Sequence, residues 1–134
     1  MSGENNVILI DDDPMFNFIN TKIIENTKVG FTVEAYEDAQ AALNELGNVA
    51  QSVTEFRCLI FVDINMPELN GWDFLEQFSK LPESFVNSCR IYMLSSSNDI
   101  YDIDKSKKYP AVQGFISKPL TTQKVLDIYN KARQ

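Results

Sequence analysis

The chain contains no histidine. Imidazole acid–base catalysis, histidine metal sites and histidine pH switches are therefore excluded. Cysteine is scarce: Cys58 and Cys89 each stand just ahead of an apolar run. Two thiols are too few for a disulfide framework or a zinc site, and both read as small buried hydrophobes. No apolar run reaches transmembrane length. The N-terminus Met1-Ser2-Gly3-Glu4-Asn5-Asn6 is polar and lacks the basic-then-apolar pattern of a signal peptide, so a cytoplasmic protein is expected. Cations are in the minority, 12 against 19 acidic residues, for a net charge of −7. That argues against nonspecific binding to nucleic acid or an anionic membrane and is compatible with a divalent-cation site. Internal repeats, low-complexity tracts and a linker to a second domain are also missing.

What is present suits one domain: 134 residues, 44% of them hydrophobic. The organising stretch is Leu59-Ile60-Phe61-Val62-Asp63-Ile64-Asn65-Met66-Pro67. Four apolar residues run into one carboxylate, as in a strand buried on both faces. Val7-Ile8-Leu9-Ile10 likewise runs into Asp11, Asp12 and Asp13, with Pro14 suited to a first helical turn and Asp13 to its cap. Met15, Phe16, Ile19 and Ile23 recur at helical spacing to about Asn26 and are expected in the core. Further strands are predicted at 31–36, 58–62, 91–94 and 114–117. Helices are predicted over 39–49, 72–81, 98–108 and from Thr121 or Thr122 onward, with Pro82 and Ser84 ending the third. Strand and helix alternate five times, which predicts a parallel sheet with helices on both faces and right-handed crossovers. Residues 1–6 are expected to be extended or disordered, and 7–134 to form a single domain with no output domain attached.

Parallel strands deliver their C-terminal ends to one edge, where ligands bind in open α/β sheets. The first strand brings Asp11 and Asp12 there, the third Asp63, the fourth Ser95 and the fifth Lys118. Three neighbouring carboxylates need a cation or raised pKa values, and an all-oxygen ligand set suits Mg²⁺. The Lys118 amine offers a point charge to an anionic group. Such a site can hold a phosphoryl group, with a carboxylate as nucleophile. Solitary Asp63 is the better nucleophile, because the Asp11/Asp12 pair suits a metal.

Ile8-Leu9-Ile10-Asp11-Asp12-Asp13-Pro14, Val62-Asp63-Ile64-Asn65-Met66-Pro67 with Asn70-Gly71, Met93-Leu94-Ser95-Ser96-Ser97 and Gly114-Phe115-Ile116-Ser117-Lys118-Pro119-Leu120-Thr121 together resemble the response-regulator receiver domain (CheY-like) of two-component signalling. The resemblance runs from about residue 7 to 133. It implies a flavodoxin-like (βα)5 fold with strand order 2-1-3-4-5. It also implies that Asp63 accepts a phosphoryl group from a histidine kinase or phosphotransfer protein. Asp12, Asp63 and the Asn65 backbone carbonyl would ligate Mg²⁺, and Asp11 would act through water. Lys118 would pair with the phosphoryl group, preceding Pro119 through a cis peptide. Ser95 would move to the phosphoryl oxygen and Phe115, as switch aromatic, would follow. That movement would alter the face formed by the predicted fourth helix, fifth strand and last helix, where an unidentified protein partner binds.

Two other classes share parts of this pattern. An aspartyl phosphatase or phosphotransferase of the haloacid-dehalogenase kind needs a second acid two residues past its nucleophile, and Asn65 cannot serve as general acid/base. A flavodoxin-like FMN binder needs a phosphate-binding first loop, whereas Asp11-Asp12-Asp13 would repel the phosphate. A signalling phosphoacceptor that promotes only its own phosphorylation and dephosphorylation fits better than an enzyme acting on external substrates.

Overall fold

A computed structural model describes residues 5–52, 56–95 and 104–132. Strands β1 (Asn6–Ile10), β2 (Thr32–Tyr36), β3 (Cys58–Asp63), β4 (Cys89–Ser95) and β5 (Val112–Ser117) form one all-parallel sheet in the order β2-β1-β3-β4-β5. Between and after them run α1 (Pro14–Glu25), α2 (Ala39–Ser52), α3 (Gly71–Phe78), a short α4 (Glu83–Asn87) and α5 (Thr122–Ala132). Both the predicted class and the strand order are observed. Central strands β1 and β3 are buried throughout, and β4 everywhere except Arg90. Their runs are apolar because both faces are covered.

The sheet separates two apolar layers. On one side Ile8, Ile10, Ile60, Val62, Ile91 and Met93 meet Ala42 and Leu46 of α2 and Phe74, Leu75 and Phe78 of α3. On the other, Val7, Leu9, Leu59, Phe61 and Leu94 meet Ile24 of α1 and Val125 of α5. Cys58 and Cys89 lie opposite each other in β3 and β4, buried and unbridged. Burial pushes the Cys58 thiol well above its ordinary range, which suits a packing role and not a reactive one.

Several boundaries differ from the sequence expectation. β1 starts at Asn6, which is buried and donates its side-chain amide to the Arg57 carbonyl at 3.0 Å. β5 starts two residues earlier than expected, at Val112. Helix α4 was not anticipated, because Pro82 and Ser84 read only as breakers. Pro also suits the start of a helix, and Phe85 anchors this one by stacking on Phe56 at a centroid distance of 5.5 Å. The predicted helix at 98–108 falls mostly outside the described residues; 104–106 form a helical turn closed by the Tyr109 N–H on the Ser106 carbonyl. Among the described residues no helix is long and apolar enough to cross a membrane.

The largest correction concerns α1. Met15, Phe16 and Ile19, expected in the core, are 62%, 37% and 43% exposed, and Phe18 is 61% exposed. Asn17, Asn20 and Ile24 face the sheet instead, and only Ile23 of the expected stripe packs against the core. The cause is a polar anchor. Asn17 Nδ2 donates to the Asp11 carbonyl at 2.9 Å and to the Tyr36 carbonyl at 3.2 Å. These bonds occupy carbonyls at the ends of β1 and β2 and set the rotation of the helix about its axis.

Candidate functional site

Each chemical group at the C-terminal edge is held by its own strand end. Asp11 follows β1 and gives its N–H to the Tyr36 carbonyl at 3.0 Å. Its Oδ1 accepts the Asp13 N–H at 2.9 Å. Asp13 caps α1 by accepting the Met15 N–H at 2.9 Å, as expected. Asp12 is left facing solvent. Asp63 ends β3, and its Oδ1 accepts the Asn65 N–H at 3.2 Å. The Lys118 N–H bonds the Ser95 carbonyl at 2.9 Å, which ties the end of β5 to β4. The peptide from Lys118 to Pro119 is cis. Lys124 Nζ donates to the Ser117 and Pro119 carbonyls, each at 3.0 Å, and pins this loop from α5.

The Lys118 ammonium reaches back across the edge. Its Nζ lies 3.2 Å from Asp63 Oδ2 and 3.3 Å from Asp11 Oδ2, and its side chain is only 19% exposed. Asp11, Asp12 and Asp63 each place a carboxylate oxygen within 4.8 Å of the others. Burial raises the Asp11 pKa above the ordinary 3.8, and the charge of Asp63 adds to the rise; the Asp13 N–H and Lys118 oppose it. Burial alone would lower the Lys118 pKa, but Asp63 and Asp11 attract its charge and carry it above 10.5. Three carboxylates and one ammonium thus share this edge. That charge deficit and the all-oxygen donor set fit a divalent cation of the Mg²⁺ kind. Asp11→Asn keeps the acceptor for the Asp13 N–H but removes one charge. In EDTA it is expected to raise the urea midpoint, with a gain that grows as pH rises through the Asp11 titration and vanishes where Asp11 is already protonated. An unchanged midpoint at neutral pH would show that neither burial nor the Asp63 charge penalises the ionised Asp11.

Asn70-Gly71 does more than turn the chain. Asn70 Oδ1 accepts the Asp73 N–H at 2.9 Å and Asp73 Oδ2 accepts the Asn70 N–H at 3.1 Å, a capping box for α3. At Gly71 a Cβ would lie 2.8 Å from the Asp63 carbonyl oxygen and 2.9 Å from Ile64 Cα. Helix α3 therefore sits directly against the backbone that carries the carboxylate. Gly71→Ala is expected to cost about 1–3 kcal/mol in urea unfolding, since the obstructing atoms are backbone. Wild-type stability in that variant would mean that α3 shifts freely.

Asp11, Asp12, Asp63 and Lys118 are brought together as the sequence reading anticipated. Asn65 adjoins Asp63 through its backbone while its side chain faces outward. Ser95 is buried, one position past Leu94, the register partner of Asp63. Phe115 pairs with Met93, and its ring lies 6.4 Å from that of Trp72. Three residues at this edge were missed: Asn17, Gly71 and Phe16, whose ring centroid lies 4.5 Å from Lys118 Nζ. Asn17 read as a polar spacer and Gly71 as half of a turn; nothing in the periodicity pointed to the Phe16 contact.

The response regulator receiver domain family matches residues 7–130. Response regulator protein TodT of Pseudomonas putida is 30% identical over 128 residues, covering 94% of this chain and 50% of that protein. The chain spans about half the length of the curated relatives it matches. Among solved structures, a two-component response regulator from Cytophaga hutchinsonii superposes with a TM-score of 0.85 at 34% identity, covering 96% of both chains. A response regulator receiver protein from Dyadobacter fermentans gives 0.80 at 29% identity, over 94% of this chain and 95% of its own.

Proposed function

The chain belongs to the response regulator receiver family of two-component signalling, and on that premise we propose that it accepts a phosphoryl group on Asp63 and passes the signal on through a protein-binding face. The observation that carries the reading is the ammonium of Lys118 bridging Asp63 and Asp11 at 3.2 and 3.3 Å. An Asp63 carboxylate oxygen attacks the phosphorus of a phosphohistidine on a histidine kinase or phosphotransfer protein. A P–O bond forms, the P–N bond breaks, and the electron pair leaves with the imidazole. Asp12, Asp63 and the Asn65 carbonyl would hold Mg²⁺, with Asp11 joining through water, and the ion would supply positive charge against the phosphoryl oxygens.

Phosphorylation adds close to two negative charges and strong acceptor oxygens at the strand edge. Lys118 then exchanges the Asp63 carboxylate for a phosphoryl oxygen while Asp11 remains beside it, and the Ser95 hydroxyl donates to another phosphoryl oxygen. The space left by Ser95 admits the Phe115 ring, and the face around β5 and α5 changes. The amide of Asn65, two residues past Asp63, cannot relay a proton, which favours a phosphoacceptor over an enzyme that turns over external substrates. The exposed face of α1 supports a protein donor. Met15, Phe16, Phe18 and Ile19 are exposed apolar side chains of this one helix, and Phe16 lies against the Lys118 ammonium; such a surface suits a phosphorylated protein partner that packs here to bring its donor group in line. The test is incubation with acetyl phosphate and Mg²⁺, read by intact mass. Wild type should gain one phosphoryl group, and a wild type that gains none sinks the reading.

A further inference from the structure

Phe16 stands on the first turn of α1, and packing does not account for its position. It remains 37% exposed, on a helix whose neighbours Met15 and Phe18 are more exposed still. Its ring face instead meets Lys118 Nζ at 4.5 Å. Three hydrogen bonds aim it there: Asp13 caps the helix through the Met15 N–H, and Asn17, the next residue, donates to the Asp11 and Tyr36 carbonyls. Lys118 is a compact charge on a flexible four-carbon stem. Asp63 and Asp11 draw that charge from the sheet side, and the negative face of the ring draws it from the helix side.

We propose that Phe16 is a positioning residue that holds the Lys118 ammonium over the pocket, ready for the phosphoryl oxygen on Asp63. The role rests on the phosphoacceptor reading above. When Asp63 becomes an acyl phosphate, the ammonium loses one carboxylate partner, and the ring contact persists through that exchange. Without the ring, the stem is free to turn toward solvent as the reaction proceeds.

Two substitutions separate ring electrostatics from bulk. Phe16→Leu keeps an apolar side chain without a π face, and Phe16→Trp keeps a stronger one. With acetyl phosphate and Mg²⁺, Phe16→Leu is expected to slow phosphorylation about threefold, and Phe16→Trp to react at least as fast as wild type. The Lys118 ε-methylene protons should show an upfield ring-current shift by NMR in wild type and Phe16→Trp, and lose it in Phe16→Leu. Circular dichroism should match across all three, since the site is at the surface. A Phe16→Leu variant that reacts at the wild-type rate, or keeps the Lys118 shift, overturns the role of Phe16 alone. A wild type that takes no phosphoryl group overturns the phosphoacceptor reading, and the positioning role with it.

Discussion

Lys118→Met is expected to slow phosphorylation of Asp63 by acetyl phosphate about a hundredfold, the scale of removing one preorganised cationic or hydrogen-bonding partner from a developing anion. The same substitution should weaken the fold in EDTA by about 1–3 kcal/mol, less than for a fully buried pair because the pocket opens to solvent. Both effects trace to one atom, the Nζ that lies 3.2 Å from Asp63 and 3.3 Å from Asp11. Because the lysine pKa is raised in the fold, its own titration leaves the contribution intact below 10.5 and removes it as pH climbs through the raised value. Asp11 behaves in the opposite sense. Its carboxyl is held above 3.8, so its ionised form costs stability that appears as pH rises through its titration. The stability defect of Lys118→Met should therefore be largest near neutral pH and shrink on acidification, as Asp11 takes up a proton. Addition of Mg²⁺ should recover part of the stability and little of the rate. Urea unfolding across pH checks the first effect and intact-mass kinetics the second. A variant as stable and as fast as wild type would show that the bridge is incidental.

The fold was legible because strand ends and helix starts carry local chemistry. Val7–Ile10 and Leu59–Val62 run straight into carboxylates, and only a parallel sheet gathers such ends at one edge. The site followed from that topology, since Asp11, Asp63 and Lys118 are distant in sequence and adjacent in space. The orientation of α1 was not legible. Periodicity shows which residues share a helix face, but not which face the sheet takes. Here Asn17 turned inward to donate to the Asp11 carbonyl and, beside the Asp11 N–H, to the Tyr36 carbonyl, which left Met15, Phe18 and Ile19 to solvent. Gly71 was readable as a turn residue, yet its closeness to Asp63 and Ile64 is a tertiary fact. Helix α4 was hidden because proline both ends and begins helices, and only the stacking of Phe85 on Phe56 decides between the two.

Asp63→Asn should abolish phosphoryl uptake altogether. The substituted side chain would keep the acceptor for the Asn65 N–H and the shape of the site, but an amide oxygen is no nucleophile toward phosphorus at neutral pH. The neighbouring carboxylates should not take over. In the proposed arrangement Asp12 would ligate Mg²⁺ and Asp11 would reach it through water, so neither is offered to the phosphorus. The acyl phosphate can be located chemically. Borohydride reduces an aspartyl phosphate to homoserine and leaves free carboxylates intact. After reaction with acetyl phosphate and Mg²⁺, peptide mapping of the reduced protein should find homoserine at position 63 and nowhere else. Homoserine at position 11 or 12, or a phosphoryl group retained on Ser95 with position 63 unchanged, would contradict the account.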